Sequence, residues 1–322
     1  MKMKFRAIIG LLVSFFCLWL VLKDLKWNDV FLSFSEAKWI WTIPVIFVYG
    51  TSFLFRTWRW SSILSPIKKT NIPTLFPILC FGYLINNILP ARAGEFARAF
   101  AGSKKLKISL SSVLGTIFIE RITDILTFVG VMMLASSVIP QSYLPFKKGI
   151  VLVVLGFLFI LSILIFLKVG KGMIWKNKKG FLPKFLDLMD RFLQGLLFLK
   201  TPIRIAIVCG LSIAVWTIEL LTIMILSRAF SLDLSFFQSC ALLVGIGFGV
   251  MIPAAPGYIG TYEFFAQKML GLLGIEGATT ISFVILLHVF HLTISSLLGL
   301  PYLIKLGYIP EGKSVPSPSL SS

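Results

Sequence analysis

Acidic residues are scarce in this 322-residue chain: 13 Asp and Glu stand against 31 Lys and Arg, a formal charge of +18. In a soluble protein that balance points to nucleic acid, but no aromatic and basic surface motif accompanies the charge, and nucleic acid is set aside as a partner. Cysteine occurs four times, at Cys17, Cys80, Cys209 and Cys240, far apart and without CxxC spacing. That excludes a dithiol or zinc-ribbon motif and leaves small core residues. There are two histidines, His288 and His291, and no clear third ligand, so no metal is expected. The stretch GIGFG at 245–249 lacks a preceding strand and a βαβ setting, and reads as close helix packing. No nucleotide-binding loop is present, so neither a cofactor nor ATP hydrolysis is expected. No segment alternates with the period of a barrel strand.

What the chain has instead is apolar length. It is 57% hydrophobic with a mean hydropathy of +0.93, beyond the apolar share of soluble domains. Several runs reach the ~20 residues that cross a bilayer as helix. The fold class is therefore an all-α polytopic membrane protein. Full spans are read at 5–22, 39–57, 111–137, 149–168, 204–227 and 280–304. The opening MKMKFR and the run from Ala7 to Leu22 resemble a signal peptide, but no small-x-small cleavage site follows, which favours an uncleaved first helix.

Two apolar stretches, 73–101 and 236–272, fit no span. Read as re-entrant hairpins, they sort the charges: Lys2, Lys4, Arg6, Arg59, Lys68, Lys69, Lys104, Lys105, Lys107 and the basic run from Lys168 to Arg204 fall on one side. By the positive-inside rule that side is cytoplasmic, and so are both termini, in a multi-pass protein of the plasma membrane. Lys23, Lys26, Lys38, Lys147, Lys148, Arg228 and Lys268 take the other side. Residues 181–199 have an amphipathic pattern suited to the inner surface. Residues 1–308 are read as one membrane domain and 309–322, rich in Pro and Ser, as a disordered tail. No soluble catalytic domain is read after the last span, so the chain is not expected to be an enzyme.

The hairpins share a motif, ILPARAGEFARAF at 88–100 and MIPAAPGYIGTYEFFA at 251–266: an apolar pair, Pro-Ala, Gly, Glu, then Phe and Ala. Each is followed by a span with ionisable groups, Glu120, Arg121 and Asp124 in one, His288 and His291 in the other. Entering from opposite sides, the hairpins form an inverted repeat, and broken helices at matching places in two halves point to a transporter's substrate site. Unwound backbone within a bilayer must line a cavity or be buried in protein. Pro90 and Pro253 interrupt hydrogen bonding, and Gly94, Gly257 and Gly260 allow the turn. Each helix that restarts offers free N–H groups to an anion such as a lipid phosphate, and Arg92 and Arg98 add a forked grip.

FRTWRW at 55–60, NNILPARAGEFARAF at 86–100, IERITDIL at 119–126 and PAAPGYIGTYEFF at 253–265 together make the chain resemble the flippase-like family related to the membrane half of lysylphosphatidylglycerol synthase. The order and spacing of the four motifs carry the resemblance over nearly the whole chain. It implies a protein that moves a lipid or lipid-linked head group between leaflets, an anionic phospholipid or a polyprenyl-phosphate-linked group, in partnership with a separate synthase or transferase. The family's second glycine motif often reads PGGxG, and Tyr258 stands at its second glycine.

The candidate substrate-binding residues are Asn86, Asn87, Pro90, Arg92, Gly94, Glu95, Arg98, Glu120, Arg121, Asp124, Pro256, Gly257, Gly260 and Glu263. For the charged ones a structural ion-pair set stands beside substrate contact, since ionisable groups at membrane depth are costly and commonly functional. Arg121 has Glu95 or Glu263 as a pairing partner. Glu263 is either a helix cap or, with His288 and His291, part of a proton relay. Arg56 and Arg59 with Trp58 and Trp60 read as an interfacial anchor. A membrane enzyme of aminoacyl or glycosyl transfer, and a non-transporting scaffold, are the alternatives to a flippase.

Overall fold

A computed structural model describes residues 2–307, apart from 24, 91, 140–200 and 253. The expected span at 149–168, the amphipathic segment at 181–199, the tail at 309–322 and Pro253 lie outside the described residues. Those residues form ten α-helices and no strand: α1 (Lys2–Leu22), α2 (Trp27–Ser35), α3 (Thr42–Leu64), α4 (Ile72–Ile88), α5 (Ala93–Leu106), α6 (Leu110–Ala135), α7 (Pro202–Ala229), α8 (Phe236–Met251), α9 (Thr261–Leu272) and α10 (Ala278–Gly307). Three are long and apolar enough to cross a bilayer: α3 with the preceding 3-10 turn (Trp39–Leu64), α7, and α10 to Lys305.

Local chemistry sets the boundaries. Asn71 caps α4 by accepting from the Thr74 amide at 3.3 Å, and Ser109 caps α6 by accepting from the Ser112 amide at 3.0 Å. Ser235 and Gln238 form a reciprocal capping box at the start of α8. The apolar reading ended α3 near residue 57, at its arginines. The helix runs on to Leu64 because Arg59, which has no exposed surface, is matched inside the protein by Asp124 at 2.7 Å. The short helix α2 was not anticipated; its Val30 is buried and the element packs on α10.

Both awkward apolar stretches are helix pairs. In the first, α4 ends at Ile88 and α5 restarts at Ala93; in the second, α8 ends at Met251, a 3-10 turn spans Pro256–Tyr258, and α9 restarts at Thr261. Within each pair the helices pack on one another. Glycine allows the close approach: a Cβ on Gly94 would overlap the Gly82 carbonyl oxygen, and one on Gly249 would press on the Thr261 carbonyl.

The packing scheme survives exchange of α3–α6 for α7–α10. Helix α3 packs on α7; α4 packs on α10 as α8 packs on α6; α6 meets α7 as α10 meets α3. Two buried clusters result, each drawing on both halves: one joins Phe128 and Met132 of α6 to Val244, Leu270 and Phe283, the other joins Ile294 of α10 to Phe53, Leu79 and Ala99.

Candidate functional site

Where the two hairpin breaks meet, a cavity of about 610 Å³ opens among α3, α4, α6, α7, α8 and α10. The breaks touch each other and the long helices. Arg92, in left-handed backbone at φ 55, donates from Nη2 to the Val250 carbonyl at 3.2 Å, joining the first break to the end of α8. The Asn87 amide nitrogen lies 2.8 and 2.9 Å from the Ser295 and Ser296 hydroxyls, and Asn86 Oδ1 accepts from the Gly94 amide at 2.8 Å. Asn86 thus satisfies a backbone amide of the restarted helix, while Asn87 ties the end of α4 to α10.

One wall is an ion-pair network. Arg98 holds Glu120 through two parallel bonds of 3.0 and 2.8 Å, and its guanidinium lies 4.0 Å from the centre of the Trp60 ring. Arg121 reaches Glu120 at 2.8 Å, Asp124 at 3.2 Å and Glu95 at 3.6 Å, while Arg59 holds Asp124. Three arginines (59, 98, 121) therefore meet three carboxylates (95, 120, 124). Of the two partners open to Arg121, it takes Glu95.

A second set faces it. Arg56 pairs with Glu219 and donates to the Tyr83 hydroxyl at 3.0 Å. His291 lies between Glu219, 3.6 Å from Nε2, and the Tyr262 hydroxyl, 3.2 Å from Nδ1. The Tyr262 ring stacks on His288 with centroids 3.9 Å apart. His288 Nδ1 is 2.5 Å from Glu263 and its Nε2 is 2.8 Å from the Gly257 carbonyl oxygen, while Glu263 accepts from the Gly260 amide at 2.7 Å. Glu263 caps α9 and also contacts His288. Each restarted helix carries a glutamate at its third position that reaches a basic group on the next long helix: Glu95 to Arg121, Glu263 to His288.

Of the residues singled out in the sequence, Asn86, Asn87, Arg92, Glu95, Arg121, Asp124, His288 and His291 line the cavity. Arg98, 3% exposed, and Glu120, 0% exposed, are not among its lining residues; they are locked to each other. Arg98 is thus no free grip for an anion. Gly94 is buried in helix packing, Pro90 lies in the first break, Pro256 opens the 3-10 turn, and Gly257 and Gly260 take φ of 64° and 93°. The interfacial reading of Arg56, Arg59 and Trp60 is overturned. Arg59 and Trp60 are buried and Arg56 lines the cavity, while Trp58, 51% exposed, faces outward.

Glu219, Tyr49, Tyr83, Trp216 and Tyr262 also line the cavity and were not foreseen, and Tyr258 joins them. Glu219 had a signal, being the one carboxylate in the 28-residue apolar helix α7. Tyr258 takes φ 60, a conformation glycine adopts freely, so the family's glycine position keeps its backbone shape here with a ring attached. Arg92 stands apart from the other arginines of the lining: among the described residues no carboxylate lies within ion-pair distance of it, whereas Arg56 and Arg121 are paired. No group of three or more metal-ligating side chains occurs among the described residues.

The family profile described as lysylphosphatidylglycerol synthase TM region matches residues 7–299. A UPF0104 membrane protein of Methanocaldococcus jannaschii is 27% identical over 196 residues, covering 60% of this chain and 81% of the relative. One from Methanothermobacter thermautotrophicus is 23% identical over 265 residues, covering 75% and 76%. A second from the same organism is 24% identical over 230 residues, covering 64% and 68%. No solved structure matches the chain significantly.

Proposed function

The chain belongs to the family of the lysylphosphatidylglycerol synthase TM region, and from that premise we propose that it moves an anionic phospholipid or lipid-linked head group between leaflets. The observation that carries this reading is Arg92: a guanidinium without a carboxylate partner among the described residues, at the meeting point of two helix breaks, on a cavity otherwise charge-matched. Desolvating a phosphate is the main barrier to crossing, and a permanently charged, forked donor lowers it. The hairpins dip from opposite leaflets, the head group passes between their tips, and the tails stay in hydrocarbon. Two hydrogen-bonded titratable pairs, Glu263 with His288 and Tyr262 with His291, stand beside the cavity, and a proton is exchanged within the Glu263–His288 pair. The protein works in the plasma membrane with both termini in the cytoplasm.

The test is transport of head-labelled phosphatidylglycerol in vesicles holding the full chain. Arg92→Ala is expected to slow it about tenfold, the worth of one charge-assisted hydrogen bond. Equal rates for wild type and for Arg92→Ala combined with Glu263→Gln overturn the proposal. The family description names the membrane region of a synthase, which favours a companion role beside a separate lipid-modifying enzyme; a modified lipid formed only when both proteins are present would establish it.

A further inference from the structure

A second cavity of about 520 Å³ lies between α6 and α7 and differs in chemistry from the first. Leu126, Val131, Leu134, Ile213, Leu220 and Phe236 give it an apolar lining, with threonine and serine hydroxyls as its polar groups. Leu126, Leu134, Ile213 and Phe236 are exposed, so among the described residues the groove has an open, apolar rim suited to hydrocarbon. It adjoins the charged cavity: Trp216 lines both, and its ring packs against Phe128, another lining residue of the first, with centroids 5.6 Å apart. On one side of Trp216 stand Arg56, Asp124 and Glu219; on the other stand the aliphatic side chains of the groove.

A polar chamber adjoining an open apolar groove across one aromatic ring matches an amphiphile. We propose that the α6–α7 groove holds a hydrocarbon chain of the same lipid molecule whose head group occupies the Arg92 cavity. This rests on the transport reading for the head group but concerns where the tail lies during passage. Apolar burial of a chain along the groove contributes in proportion to its length, which makes the groove a tail-selecting element.

Gly130 supplies the test. It lines the groove, and a Cβ placed on it meets no heavy atom within 4 Å outside its own helix turn. Gly130→Leu therefore starts its side chain in open space and adds bulk to the groove, and Thr217→Phe adds it from α7 should the first variant fold poorly. Gly210→Leu is the control, equally open but outside the lining. The full chain is purified with dipalmitoyl phosphatidylglycerol, and the retained lipid is counted by native mass spectrometry. Retention is expected to fall about tenfold in Gly130→Leu and in Arg92→Gln alike, and to hold in Gly210→Leu. Wild-type retention in both groove-filling variants overturns the proposal. Loss with a filled groove but not with Arg92→Gln also overturns it, since tail and head would then belong to different molecules. Vesicle transport is read separately: a wild-type chain that binds in the expected pattern yet moves no lipid keeps the groove assignment and overturns the transport reading alone.

Discussion

Glu120 accepts from Arg98 through both carboxylate oxygens and stands beside Arg59 and Arg121, so three guanidinium groups converge on a side chain with no exposed surface. Removing that charge leaves buried cations unmatched. Glu120→Gln is expected to destabilise the fold by about 3–5 kcal/mol, read as a lowered unfolding temperature in detergent, whereas Glu95→Gln, whose pair is longer and partly exposed, costs under about 1 kcal/mol. The i, i+4 spacing of Glu120 and Asp124 puts both on one face, but the sequence offered Arg121 only Glu95 or Glu263 as a partner, and its pairs with Glu120 and Asp124 came from the structure. Arg59 was not legible as a partner either, because its neighbours Trp58 and Trp60 look like a membrane-interface belt. Adjacent residues on a helix point apart: Trp58 faces out while Arg59 turns inward to a carboxylate 65 positions away. A local pattern carries no trace of that distant match.

At the scale of elements, the helix breaks were legible because Pro and Gly interrupt apolar runs at fixed places, and the breaks fall there. What the pattern did not give was how closely the paired helices approach. A Cβ on Gly94 falls on the Gly82 carbonyl and the Asn86 side chain, so Gly94→Ala is expected to cost about 1–3 kcal/mol through overpacking. Gly50→Ala, in a helix with open space around it, should instead stabilise by about 0.5–1 kcal/mol. The two unfolding temperatures, moving in opposite directions, check both. Helix α2 escaped notice because nine residues with serines and an aspartate carry a weak apolar signal; its place is set by packing on α10 rather than by its own composition.

For the whole molecule, a short shared motif was the outward sign of a packing scheme that survives exchange of α3–α6 for α7–α10. The motif alone left its meaning open, since the decisive contacts run between the copies. Helix α4 lies on α10 and α8 on α6, so each half lends an arm to the other. They are clasped rather than stacked, and a polypeptide ending after Ile139 keeps the contacts of α4 with α3 and α5 but loses the α10 face on which it lies. Coexpressed as two separate pieces divided between Ile139 and Thr201, the chain is expected to reassemble into a complex that survives purification, while either piece produced alone is degraded. Two independently stable pieces would mean that the clasp is decorative.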